Sequence, residues 1–404
     1  MTTPHPGTRR ARKSSKTSAT PTGLPFETVA LVLQGGGALG SYQAGVFEGL
    51  ADAGIEPNWV AGISIGALNA ALIAGNPPAT RVQRLREFWE TICRPTPYLA
   101  PVEWMQGLLD NSGPEARKVF GAFSAWRALL EGQSAFFVPR GVAPWLGGKQ
   151  GVTQASFYDT TQLKSTLERF VDFDRINAGS MRVSIGAVNV RSGNFAYFDN
   201  RVGAQGKQQL RAEHFMASAA LPPAFPAVEI DGEFYWDGGL VSNTPLGYVL
   251  TDTPRRDTLA FQVDLWSALG PLPDNVYDVQ ERQKDIQYSS RTRATTDVMA
   301  EEQHYRRMIR ELLEQIPPKV RASDAWCQRA QRVACARQCS VIHLVYQDKE
   351  WEGNAKDYEF SPQSMRDHWS SGLLDIQSSL EHDDWLRLPA EGKEFVTHDH
   401  HRAA

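Results

Sequence analysis

Val29-Ala30-Leu31-Val32-Leu33-Gln34-Gly35-Gly36-Gly37-Ala38-Leu39-Gly40 is followed, about one strand–helix unit later, by Trp59-Val60-Ala61-Gly62-Ile63-Ser64-Ile65-Gly66. Each stretch is an apolar run that breaks at glycines and resumes as a helix. Thr28–Gln34 reads as the first strand. Gly40 to Ala53 carries Tyr42, Val46, Phe47 and Leu50 at helical spacing and stops at Asp52-Ala53-Gly54, with glycine in its usual C-terminal place. Asn58–Ile63 reads as a second strand, and Ala67–Ala74 as a small-residue helix ended by Gly75-Asn76-Pro77. So short a strand–helix–strand connection predicts parallel pairing with a right-handed crossover. The fold class expected is α/β with a mostly parallel central sheet.

The two breaks carry complementary chemistry. Gly62-x-Ser64-x-Gly66 is the nucleophile-elbow pattern, in which a serine sits on a strained turn with its Oγ exposed. Gly62 and Gly66 permit the sharp turn, and Ala67, Ala70 and Ala71 allow the close helix packing it needs. Gly35, Gly36 and Gly37 offer a row of backbone N–H groups at a helix start, which suits a developing oxyanion. Together they point to acyl transfer.

A neutral serine is a weak nucleophile and needs a base. His304, His343 and His368 lie late enough in the chain to complete a Ser–acid–His order, but none sits in a loop of catalytic character. His214 falls inside an expected helix. Asp237 is more conspicuous, in Tyr235-Trp236-Asp237-Gly238-Gly239-Leu240. There a carboxylate ends an aromatic strand, and Gly238 and Gly239 give close backbone access. Taken alone, Asp-Gly-Gly is also an ordinary turn.

The rest of the chain bounds the function. Its 404 residues are 42% hydrophobic and 22% charged, enough for an ordinary globular core. A net charge of −4 gives no case for nucleic-acid binding. Residues 1–25 carry Arg9, Arg10, Arg12, Lys13 and Lys16 without an acid and read as a disordered basic tail that could tether weakly to anionic lipid. They lack the apolar run of a secretory signal. No stretch approaches the roughly 20 apolar residues of a membrane-spanning helix. The expectation is a cytoplasmic protein, at most peripheral at a membrane. Cys93, Cys327, Cys335 and Cys339 form no disulfide framework, and their spacing lacks a metal knuckle, so no metal or cofactor is called for.

Three regions follow. Residues 26–270 form the catalytic domain. Within it, 94–150 holds Tyr98, Trp104, Phe120, Phe123, Trp126, Phe136, Phe137 and Trp145 amid Pro and Gly, an inserted cap whose aromatics pack or wall an acyl chain. Further elements are expected at Arg81–Cys93, Thr161–Phe170 and Arg211–Ala220 (helices), and at Met181–Asn189, Phe195–Asp199, Phe234–Trp236 and Thr258–Asp264 (strands). Residues 271–404 form a charged helical extension with one late strand, Val341–Gln347, and a polar tail.

Taken in order, these segments resemble the patatin-like phospholipases, serine lipid acyl hydrolases. The resemblance runs from about Thr28 to about Leu246. It covers the Gly-rich loop, the elbow, Ala217-Ser218-Ala219-Ala220-Leu221-Pro222-Pro223, and Asp237-Gly238-Gly239-Leu240 with Asn243-Thr244-Pro245. It implies a patatin-like three-layer sandwich and a Ser–Asp dyad without histidine, with Ser64 as nucleophile, Asp237 as base and Gly35–Gly37 around the oxyanion. One position departs from the pattern: Leu39 stands where the family commonly has Arg or Lys, which gives weight to neutral ester substrates.

Two rivals remain. Gly35-x-Gly37-x-x-Gly40 after a strand also meets the dinucleotide-binding pattern, but that reading needs an acid ending the second strand. The strand ends instead in Gly62-Ile63-Ser64, and Glu56 precedes it. No G-x-x-x-x-G-K-[ST] occurs, so a P-loop is not supported. The other rival is a non-catalytic lipid-binding protein on the same fold.

Overall fold

The computed structural model describes residues 23–94, 114–133, 135–141, 148–203, 206–290, 292–390 and 392–399. The basic tail to residue 22, and Tyr98, Trp104 and Trp145 of the aromatic segment, lie outside the described residues.

The apolar runs become the strands of one nine-stranded sheet. These are β1 (Thr28–Leu33), β2 (Trp59–Ile63), β3 (Arg182–Asn189), β4 (Phe195–Asp199), β5 (Val228–Ile230), β6 (Glu233–Asp237), β7 (Thr258–Asp264), β8 (Cys339–Val345) and β9 (Phe395–Asp399). The order is β9-β8-β7-β1-β2-β3-β6-β5, with β4 also on β3. Every pairing from β9 through to β3 is parallel, whereas β4, β5 and β6 are antiparallel additions.

Alternation along β1 shows that both faces are covered. Val29, Leu31 and Leu33 join the larger apolar cluster with Tyr42, Val46, Leu50 and Leu68. Ala30 and Val32 turn to the other side and meet Leu246, Val249 and Leu250. A strand buried on both faces reads as a continuous apolar run, as Val29–Leu33 does. Helices therefore sandwich the sheet in three layers.

One covering layer contains α1 (Gly40–Asp52), α2 (Ile65–Ala74) and α3 (Arg81–Ile92). Farther along are α4 (Pro114–Glu131), α5 (Ala212–Ser218) and α6 (Pro362–Leu380). α1 and α6 cross very closely: a Cβ on Gly45 would lie 1.9 Å from the Trp369 carbonyl oxygen, and one on Gly372 2.0 Å from that of Tyr42. Tyr42 Oη clinches the crossing with a 2.7 Å bond to Asp375.

The C-terminal residues differ from the sequence expectation. They supply two strands, not one. β8 begins at Cys339, two residues before the expected start, and β9 lay unseen in the polar tail. Phe395 and Val396 are the only strong apolar residues of β9, so its pattern is too weak to announce a strand. None of the described helices is long and apolar enough to cross a membrane.

Candidate active site

β3 aligns the two halves of the site. β4 pairs along Ser184–Val188 and so occupies one edge of β3. β2 pairs along Arg182–Gly186, and β6 along Ala187–Asn189. Both therefore share the other edge, end to end. β2 runs parallel to β3 and β6 antiparallel, so their C-terminal ends meet head-on. Ile63 is opposite Gly186 and Asp237 opposite Ala187. The residue after Ile63 is Ser64, and the meeting point brings it to Asp237.

Ser64 has φ 55° and ψ −125°, a left-handed-side conformation costly for an L-residue. Packing enforces it. A Cβ on Gly62 would sit 2.4 Å from the Gly66 carbonyl oxygen, and one on Gly66 2.4 Å from that of Leu33. α2 starts at once, its first turn closed by the Ala67 N–H to Ser64 carbonyl bond of 2.9 Å. The Ser64 N–H donates to Ser218 Oγ at 3.0 Å, and Ser218 Oγ donates to the Gly186 carbonyl at 2.7 Å. Ser218 is fully buried at the end of α5 and ties the elbow to β3. The sequence contained this residue in its Ala217–Pro223 segment, but a serine among alanines carries no signal of such a role.

Asp237 is 2% exposed. Its Oδ1 accepts the Gly239 N–H at 2.7 Å, and its carboxyl is hydrogen-bonded to the Ser64 side chain. Burial drives its pKa up to about 7, against the pull of the Ser64 and Gly239 hydrogen bonds. Gly238 fits where a Cβ would lie 2.8 Å from the Gly186 carbonyl oxygen.

The Gly-rich loop packs directly on the elbow. A Cβ on Gly35 would be 2.9 Å from Ser64 Cβ and 2.3 Å from Asn243 Oδ1. One expectation needs correction here. The Gly35 N–H already donates to the Asn243 carbonyl at 3.2 Å, so it is not a free oxyanion donor. The N–H groups of Gly36 and Gly37 have no protein acceptor among the described residues. Gly37 has φ 56°, and a Cβ there would strike the Asp357 carbonyl oxygen at 2.0 Å. The C-terminal region thus clasps this loop.

Buried amides hold the loop in place. The Gly35 carbonyl accepts from Trp266 Nε1 at 2.8 Å and Asn243 Nδ2 at 3.0 Å. Gln34 Oε1 accepts the N–H groups of Leu265 and Trp266, while its Nε2 donates to Thr244. Leu39 is fully buried in the core.

Ser64 and Asp237 open into a cavity of about 170 Å³. Its floor includes Gly35–Gly37 and Asn243, and its walls include Phe136, Phe137, Tyr158, Phe225 and Phe360. Phe136 and Phe137 come from the aromatic segment, and Phe360 from the C-terminal region. Among the described residues no His, Lys or Arg lines it. A larger cavity, about 480 Å³, lies between α4 and residues 351–368, away from the elbow. The site belongs to the smaller one because that one holds the serine and the carboxylate.

His214, His343 and His368 are engaged away from Ser64. His214 is buried against Phe198, where burial lowers its pKa to about 4. His343 Nε2 lies 2.7 Å from Asp264, and His368 Nε2 lies 2.5 Å from Glu352. Burial alone would raise the Asp264 carboxyl, but His343 and Ser290 hold it below the ordinary range. Among the described residues, no three His, Cys, Asp or Glu side chains gather as metal ligands.

An α/β sandwich with a Gly-rich loop packed on a Gly-x-Ser-x-Gly turn is an arrangement that serine hydrolases share. The model described as patatin-like phospholipase matches residues 31–250, and one described as patatin phospholipase matches 286–392. The chain belongs to the patatin-like phospholipase family. Patatin-like phospholipase domain-containing protein 6 of mouse and of human are each 41% identical over 95 residues, which is 23% of this chain and 7% of theirs. The match therefore spans a small part of these curated relatives. Similar solved structures include VipD from Legionella pneumophila, 14% identical with a TM-score of 0.36, over 88% of this chain and 67% of that chain. Human GIVD cytosolic phospholipase A2 is 12% identical with a TM-score of 0.30, over 58% and 42%.

Proposed function

We propose that the protein cleaves carboxylic esters of lipids through a Ser64–Asp237 dyad and an acyl-enzyme. The observation that carries this reading is the buried Asp237 carboxyl, hydrogen-bonded to Ser64 and with its pKa raised to about 7. A base of ordinary acidity, near 4, would take a hydroxyl proton poorly; one near the working pH is matched to the task.

In the first half-reaction Asp237 accepts the Ser64 Oγ proton as Oγ attacks the ester carbonyl carbon. The carbonyl oxygen becomes an oxyanion facing the N–H groups of Gly36 and Gly37. Each such donor is worth about 3–4 kcal/mol of barrier. As the tetrahedral intermediate collapses, Asp237 gives the proton to the departing alcohol. Water then attacks the Ser64 ester, Asp237 takes its proton and returns one to Oγ, and the carboxylic acid leaves. Strain at Ser64 keeps Oγ raised toward the cavity before substrate arrives.

The aromatic walls suit an acyl chain. Among the described residues the lining carries no cationic side chain, which supports esters whose reacting end is neutral. A serine-directed fluorophosphonate tests the reading. Wild type should be labelled and Ser64→Ala should not; a folded wild type that resists the probe and hydrolyses no ester would end it.

A further inference from the structure

α4 is inside out. An ordinary surface helix buries its apolar stripe and turns its polar face to water. In α4 the residues turned inward include Ser124, Ala125, Arg127 and Ala128. Val119, Phe123, Trp126 and Leu130, spaced by four, three and four, are 71%, 39%, 56% and 56% exposed. These steps place them on one face. Between Val119 and Leu130 no charged side chain is exposed.

The helix is held in this orientation at both ends. Arg117 pairs with Asp367 and lies 3.8 Å over the Trp351 ring. The Leu129 carbonyl accepts Tyr158 Oη at 2.7 Å, and both residues line the catalytic cavity. Two other segments that reach the same cavity also expose apolar side chains. Phe157, 40% exposed, precedes Tyr158, and Leu240 and Val241, 43% and 59% exposed, follow Gly239.

We propose that this face is a docking surface for a lipid–water interface, from which an acyl chain passes along Leu129 into the cavity. The proposal rests on the reading of Ser64 and Asp237 as a lipid hydrolase. A protein partner seated here would cover the route the substrate must take, whereas a lipid surface is itself the source of the chain. An uncharged apolar face next to a polar body is also the pattern of helices that lie in the plane of a membrane interface. Because the attraction is apolar, neutral lipid suffices and added salt changes little.

The test separates docking from turnover by using Ser64→Ala protein and large vesicles of phosphatidylcholine, with binding read by sedimentation. Phe123→Ser/Trp126→Ser/Leu130→Ser, which alters only exposed positions, should lower partitioning about tenfold or more. Val119→Asp should lower it as well. With Ser64 intact, the triple variant should hydrolyse a soluble short-chain ester at the wild-type rate. Unchanged vesicle binding in the triple variant overturns the proposal. So does binding that needs anionic lipid and vanishes at about 1 M salt, where charges are screened beyond about 3 Å; that result would assign membrane contact to the basic tail. A wild-type dimer that becomes monomeric in the triple variant would make a second copy the occupant and overturn it too. Vesicle binding by a wild type that hydrolyses no ester would support the surface while removing the hydrolase reading.

Discussion

Replacing Asp237 by Asn should make the protein inactive and, at alkaline pH, more stable. In the folded state the carboxyl holds its proton up to about 7, whereas an ordinary aspartate releases it near 3.8. Below about 4 both the folded and unfolded chains are protonated here, and the residue adds no pH dependence. Between about 4 and 7 the folded state binds more protons, so stability falls as pH rises. Above about 7 both states are ionised and the loss is complete. At about 1.36 kcal/mol for each pH unit, the gap sets a ceiling of about 4 kcal/mol. Asparagine is neutral throughout and escapes this loss. Urea unfolding of both proteins at steps from pH 4.5 to 8.5 should show the variant gaining on wild type with rising pH and levelling off near pH 8. Ester hydrolysis by the variant should fall by about 10²–10⁴-fold, the usual contribution of a positioned base. In wild type, kcat/KM should climb through about pH 7 as Asp237 loses its proton. A stability difference that does not change with pH, or near-normal turnover in the variant, would refute the reasoning.

Ser218→Ala leaves the Ser64 N–H and the Gly186 carbonyl without their shared partner. Denaturant titration should show a loss of about 1–3 kcal/mol, and steady-state kinetics a lower kcat with little change in KM. Gly37→Ala meets the Asp357 carbonyl at 2.0 Å and a positive φ, so activity should collapse. Gly54→Ala has a positive φ but open space around it; a thermal melt should show only about 1 kcal/mol lost, with activity kept. His343→Ala removes one partner of Asp264 and should destabilise by about 3 kcal/mol, while the folded fraction stays active in a titrated esterase assay. If hydrolysis disappears although the fold persists, a histidine is the base after all.

The parts legible in the sequence are those governed by near neighbours. Val29–Leu33 and Trp59–Ile63 announce buried strands because both of their faces are apolar. The glycines around Ser64 announce the elbow because only a missing Cβ permits that turn. Asp237 stood out through its two following glycines. What stayed hidden depends on distant pairing. That the Gly35 amide is spoken for follows from Asn243, 208 residues away in the chain. The clasp of Gly37 by Asp357 and the wall at Phe360 come from residues with no catalytic signature of their own. β9 escaped notice because its burial is partial and its residues are mostly polar.

The head-on meeting of β2 and β6 has a mechanical consequence. Side chains alternate across a strand, so shifting β6 by one residue against β3 would send Asp237 to the opposite face of the sheet. The approach of Ser64 to Asp237 is therefore set by one peptide unit, Gly186 to Ala187. Load applied to the β5–β6 hairpin would be felt first as a displacement of Asp237 from Ser64, before any strand separated.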